Sequence, residues 1–231
     1  DWRQYFQTLD LELNYPGFRA VTFAPAVLEA ELPVFIAKVR ASPLWPQISN
    51  PQVLRNFTLR PPPPPIELVE TSLHAPVLYT EPLNKEREKS IGIDMMLDAG
   101  RRAAMLSAVE RHDAVLSPRL QLIRLETTEV GFIAYLSANH NGNLVGWITA
   151  TFYPKDFMRG LFGDRGSKLG FRVYDGVSTQ IQSLLYSTDG IDAGGDPIAF
   201  HGHASSHMRI STLKMPGRIW TAEYHAGPEF I

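Results

Sequence analysis

Five consecutive prolines, Pro61–Pro65, stand in the first third of a 231-residue chain and exclude a regular helix or a central strand through that stretch. A run without backbone N–H donors favours an extended polyproline II segment at the surface, here a rigid connector. The fold must therefore be assembled from shorter elements on either side of it. Composition sets the remaining bounds. With 44% hydrophobic and 20% charged residues the chain matches ordinary globular proteins. It is long enough to bury about 70–75% of its unfolded surface without cross-links. The absence of cysteine removes disulfides, thiolate metal sites and Cys nucleophiles together. Twenty-two Lys and Arg against 24 Asp and Glu leave a net charge of −2, so no basic field attracts a phosphate backbone and no nucleic-acid partner is expected. No apolar stretch reaches the ~20 residues that span a bilayer. The opening Asp1-Trp2-Arg3-Gln4 lacks a signal-peptide pattern, and the chain as given is expected to be soluble.

Periodicity predicts the following elements. Trp2, Tyr5, Phe6 and Leu9 have helical spacing and end at Asn14-Tyr15-Pro16-Gly17. Phe18 to Phe23 reads as a strand, and a helix opens at Pro25 and carries apolar residues to Val39, with Pro33 a kink or a second start. Strands are predicted over 55–60 and 74–79, and a charged turn over 84–90. An amphipathic helix follows Asp94 and ends near His112-Asp113. Strands over 120–125, 131–136 and 144–153 form a meander around Asn139-His140-Asn141-Gly142-Asn143. A short helix from Pro154 to Phe162 precedes strands over 169–174, 183–186, 207–213 and 218–224. Helices on predominantly antiparallel sheets make the class α+β, with a second, smaller cluster of strands after residue 166.

The chain contains no Gly-x-Ser-x-Gly elbow, no Gly-x4-Gly-Lys-Ser/Thr loop and no His-Glu-x-x-His. Gly160, Gly163 and Gly166 follow a helix and have the wrong spacing for a dinucleotide fingerprint. One metal candidate exists. On a strand, His201 and His203 would face the same side, and His207 or Asp196 could complete a tetrahedron. A metal-binding sensor or metallohydrolase using these histidines is the alternative reading of the chain, against solvated loop histidines. Asp189, Asp192 and Asp196 lack calcium-loop spacing and read as a turn. Asp94 is a lone carboxylate among Ile93, Met95 and Met96, and a buried acid needs partners. It can cap the following helix, or it can hold a ligand in a pocket walled by soft methionine side chains.

The order of Tyr79, Pro82, Asn84, Gly92-Ile93-Asp94-Met95-Met96, the Arg101 to Val109 helix, Ala114-Val115-Leu116-Ser117-Pro118 and Gly131 to Leu136 resembles the CHASE family. Gly146 to Phe157, Val173-Tyr174-Asp175-Gly176, Gly217-Arg218-Ile219-Trp220 and the opening Trp2, Tyr5, Leu9 and Tyr15-Pro16-Gly17 extend the resemblance over nearly the whole chain. These are extracellular or periplasmic sensor domains of receptor histidine kinases, diguanylate cyclases and plant cytokinin receptors. The resemblance implies two PAS-like units with antiparallel sheets. Residues 1–166 would form the N-terminal segment and the membrane-distal ligand-binding unit, and 167–231 the membrane-proximal unit. The stalk helix and membrane spans would be largely missing from this chain.

The resemblance also implies a non-catalytic module with no cofactor, on the periplasmic or extracellular side of a membrane-anchored parent that dimerises. The parent would be a histidine kinase or nucleotide cyclase. Its partner would be a small molecule, an adenine-type compound or another amphipathic metabolite. Ligand-binding residues carried over are Asp94, which holds the adenine ring in cytokinin receptors, Met95 beside it, Leu116, Thr127, Leu136, Thr149 and Phe152. The chain departs from the plant pattern at Leu136-Ser137-Ala138-Asn139, where those receptors have Phe-Pro-Val-Tyr. It departs again at Thr149-Ala150, where they have two glycines.

Overall fold

The computed structural model describes residues 8, 9, 14, 17–42, 51–82, 88–124, 127–162, 169–188 and 208–226. In chain order the strands are β1 (Phe18–Pro25), β2 (Val27–Leu28), β3 (Leu73–His74), β4 (Tyr79–Glu81), β5 (Val115–Leu116), β6 (Leu120–Arg124), β7 (Thr127–His140), β8 (Asn143–Phe152), β9 (Leu169–Asp175), β10 (Leu184–Ser187), β11 (Met208–Met215) and β12 (Arg218–Ala226). The helices are α1 (Leu32–Ala41), α2 (Pro51–Arg55), α3 (Ala99–Arg111) and α4 (Pro154–Phe162). β7 and β8 form the longest hairpin. Asn141 and Gly142 both have positive φ, 50° and 79°, as a two-residue turn that follows the strands' own twist requires. The first sheet has the order β4-β1-β8-β7-β5, with β6 also on β7; the second is β10-β9-β12-β11, and β2 pairs with β3. Every strand pair among the described residues is antiparallel, and the protein is α+β.

Period-two alternation gives the first sheet two buried faces. Ile133 and Tyr135 of β7 and Trp147 of β8 point toward α3, where they pack with Ala104, Met105 and Ala108. The indole N–H of Trp147 donates to the carbonyl of Met105 at 2.9 Å, tying sheet to helix. Val130 and Phe132 point the other way and pack on Phe171 and Val173 of β9 and Trp220 of β12. Phe132 stacks on Phe152 at 5.2 Å and meets Trp220 edge to face at 5.0 Å. Polar contacts join the sheets at the margin. Asp175 accepts from the backbone N–H of Arg119 and from two guanidinium nitrogens of Arg218, each at 2.8 Å. A third, small core gathers Val39, Leu54, Phe57, Leu78 and Ile91 under α1 and α2.

Four expectations change. The predicted strand over 55–60 is replaced by α2, a turn, and a single bridge from Arg60 to Ile93. Pro51 suits a helix start, and burial of Leu54 and Phe57 in the third core outweighs the local alternation. The helix predicted from residue 25 begins at Leu32, because Val27 and Leu28 pair with His74 and Leu73, and Pro33 takes the first turn. The strand over 74–79 is two short strands, β3 and β4. The proline run bends at residues 63–65 and buries Pro62, so it hugs the protein more closely than a free polyproline II segment.

Candidate functional site

Residues 91–98 are held by backbone hydrogen bonds from both sides. On one side Asp94 N donates to Arg60 O at 2.9 Å, Val69 N to Leu97 O at 3.1 Å and Ala99 N to Glu67 O at 2.9 Å. On the other, Val77 N donates to Ile93 O at 2.8 Å and Met95 N to Ala75 O at 3.2 Å. The prolines between Arg60 and Glu67 have no N–H to donate, and these backbone bonds hold the stretch at its two ends, Arg60 and Glu67.

Asp94 is 0% exposed and spends both carboxylate oxygens on the protein. Oδ1 accepts the backbone N–H groups of Ala75 at 2.9 Å and Met96 at 3.1 Å, the latter capping a short 3-10 turn, Met95–Leu97. The cap of α3 is instead Asp98, whose Oδ1 accepts from Arg101 N at 2.8 Å. Asp94 Oδ2 lies 2.5 Å from Nδ1 of His74, and the other ring nitrogen of His74 meets Glu29, whose side chain is 64% exposed. Burial disfavours a charged imidazole, but the hydrogen bonds and charges of Asp94 and Glu29 outweigh it, and the pKa of His74 is raised above 6.5. The protonated ring, which donates from both nitrogens, is the form that a carboxylate at each nitrogen favours. Sequence reasoning missed His74: it stands 20 positions before Asp94 and 45 after Glu29, and the β2–β3 pairing together with the Pro76–Asp94 bridge brings the three together.

The inner face of the first sheet carries a polar row inside an apolar core. Thr22 is opposite Thr80 across β1 and β4, and opposite Thr149 across β1 and β8; Thr149 is opposite Tyr135 across β8 and β7. Paired residues share a face, so four polar side chains on four adjacent strands form a line about 14 Å long, at roughly 4.8 Å per strand. All four are buried. The hydroxyls of Thr22 and Thr149 bond to each other, whereas Thr80 Oγ1 and the Tyr135 hydroxyl have no hydrogen-bond partner. Arg101 of α3 is 4% exposed, and its Nε is likewise without one. That nitrogen stands 3.8 Å from Asp98 Oδ1, and an Nη of the same side chain reaches Gln121 O at 3.5 Å. Burial raises the Tyr135 pKa well above the usual phenol value; the nearby Arg101 charge lowers it and the Asp98 charge raises it. The hydroxyl therefore stays a donor at every physiological pH. Buried polar atoms are almost always bonded, so these three unpartnered ones, on α3 and on two strands of the sheet, stand out as candidate binding groups.

The structure divides the residues carried over by resemblance. Asp94, Met95 and Thr149 lie on the α3 side of the sheet. Leu116 and Phe152 lie in the second core, against the other sheet, because strand alternation turns them away from α3. Leu136, on the face opposite Tyr135, is 43% exposed. Thr127 opens β7 and pairs with Arg124. His201, His203 and His207 are outside the described residues, as are Asp189, Asp192 and Asp196 and much of the charged turn over 84–90. Among the described residues no group of three or more His, Asp or Glu side chains could hold a metal ion. No helix among them is long and apolar enough to cross a membrane.

No curated protein matches the chain. Among solved structures it is similar to an extracellular ligand binding receptor from Desulfohalobium retbaense, at 14% identity and TM-score 0.47, over 66% of this chain and 28% of that one. The chain thus spans well under half of that receptor. It is also similar to the ligand binding domain of the Pseudomonas aeruginosa amino acid chemoreceptor PctC in complex with GABA, at 11% identity and TM-score 0.45, over 97% and 81% of the two chains. A further likeness is to the periplasmic sensory domain of the Campylobacter jejuni chemoreceptor Tlp1, at 10% identity and TM-score 0.47, over 97% and 76%. The family model described as the CHASE domain matches residues 1–186 of the 231. By that match the chain belongs to the CHASE domain family of extracytoplasmic sensor modules.

Proposed function

We propose that this chain is the periplasmic or extracellular sensor of a membrane-anchored receptor and binds a small organic ligand between α3 and the first sheet. The observation that carries the reading is the buried polar row Thr80, Thr22, Thr149 and Tyr135 with its unpartnered atoms, together with the unpartnered Nε of Arg101 in the helix that packs on this sheet. A sealed core that needed no ligand would use apolar residues there, since each unbonded buried polar group costs about 1–3 kcal/mol. Asp94 and Met95 support the floor of the site, with Asp94 holding the segment that carries Met95 and Met96. In this reading residues 1–166 form the membrane-distal unit and 167–231 the membrane-proximal one. The parent is a histidine kinase or diguanylate cyclase that dimerises through a stalk. Leu116 and Phe152 lie at the contact through which the distal unit would bias the proximal one. Binding transmits a signal only if the ligand prefers one arrangement of the receptor over the other. An adenine-type ligand is a second reading and rests on the burial of Asp94 within the Asp-Met-Met segment. It would require one carboxylate oxygen to exchange a present partner for a ring N–H.

Mass spectrometry of the purified protein, native and then denatured, tests the first reading. A small molecule released on denaturation and absent from Thr149→Val is expected. A compound retained equally by that variant would place binding elsewhere. Calorimetric titration with adenine-type cytokinins tests the second, and heat that persists in Asp94→Asn would remove the role of Asp94.

A further inference from the structure

The Tyr135 hydroxyl, at one end of the polar row, and Nε of Arg101, in the helix that packs on Tyr135, are two buried donors without a partner, and the Arg101 charge acts on the Tyr135 hydroxyl. Arg101 keeps its charge in the interior. Its nearest carboxylate, Asp98, is 3.8 Å away, beyond hydrogen-bond reach, and is already committed to capping α3. A buried cation so weakly paired is costly unless something else bonds it. Two buried donors without a partner are matched by an acceptor that offers two oxygens, and the positive charge favours an anion. A single arginine with Asp98 beside it suits a single negative charge and opposes a phosphate dianion. At the far end of the row, Thr80 Oγ1 offers a further unpartnered hydroxyl on the same face.

Resting on the ligand-binding reading above, we infer that the ligand is a small organic carboxylate whose two oxygens are taken by Arg101 Nε and the Tyr135 hydroxyl, its chain lying along Thr149 and Thr22 toward Thr80. Charge-assisted hydrogen bonds from a planar guanidinium suit a carboxylate in geometry as well as in charge.

The test is a thermal-shift and calorimetric titration of the full chain with straight-chain monocarboxylates from acetate to hexanoate and their ω-hydroxy counterparts, each beside its primary amide. At least one carboxylate is expected to bind and its amide to bind at least about tenfold more weakly, as loss of a charge-assisted bond implies. Tyr135→Phe is expected to weaken that carboxylate about tenfold while leaving the ligand-free melting temperature unchanged or higher, because its hydroxyl bonds to nothing in the free protein. Arg101→Gln is expected to abolish binding. If it fails to fold, Tyr135→Phe decides alone. The inference is overturned if no carboxylate of the series binds, or if a carboxylate binds equally to wild type and Tyr135→Phe. An amide that binds as well as its acid and is lost in Thr149→Val would overturn the carboxylate while keeping the ligand-binding reading.

Discussion

His74 links a buried carboxylate to one in solvent, and the asymmetry sets what each side is worth. The contact with Glu29 is screened and contributes little. The contact with Asp94 is dry on both sides, so the pair stands or falls together. The folded His74 pKa lies above 6.5, so the stabilisation of the protonated form is complete below pH 6.5 and is lost as pH rises through the folded value. The melting temperature of wild type minus that of His74→Gln should accordingly be largest in mild acid and shrink toward alkaline pH. A difference independent of pH would show that His74 is neutral throughout. Asp94→Ala leaves the N–H groups of Ala75 and Met96 and the His74 ring without their acceptor, and should cost about 3–5 kcal/mol in denaturant unfolding. Asp94→Asn, which keeps one acceptor oxygen, should cost less. The sequence pointed to Asp94 as a carboxylate among apolar neighbours and as a capping residue, and it does cap a turn. His74 and Arg101 left no such mark, because a histidine before a short strand and an arginine in a helix's first turn are ordinary until their partners are known.

Among the elements, β7 and β8 were legible because long alternating runs around Asn-Gly satisfy local turn chemistry and strand periodicity together. β2 and α2 were not. Val27 and Leu28 have helical spacing but are drawn into a strand by β3, and residues 51–55 become a helix because Leu54 faces the third core. Glycine sets how tightly β1 and β8 join. Gly146 has φ +153°, and a Cβ there would stand 2.4 Å from the carbonyl oxygen of Ala24. Gly146→Ala should therefore lower stability by about 1–3 kcal/mol through forced separation of the two strands, read as a lower denaturant midpoint at unchanged slope. Gly142, at the exposed hairpin tip, meets nothing within 4 Å, and replacing it strains only its own positive φ.

At the scale of the whole molecule, the first sheet is buried on both faces, with α3 on one and the second sheet on the other. Trp220 is the largest side chain that the second sheet places in their common core, so Trp220→Ala should cost about 3–5 kcal/mol in global unfolding. Asp175→Ala should lower stability by about 3 kcal/mol, since it frees two guanidinium contacts and the Arg119 N–H at once. The class, the antiparallel meander, the strands after residue 166 and the family were all readable from residue order, because they rest on periodicity, turn chemistry and motifs a few positions long. Which face each strand presents to which partner was not readable, for alternation defines two faces without saying what covers them. Leu116 and Phe152 turn toward the second sheet, Leu136 reaches solvent, and Thr22, Thr80, Thr149 and Tyr135, dispersed over more than a hundred positions, meet in one line. Hydrogen bonding between strands is a long-range pairing, and only the folded sheet could bring those side chains into one row.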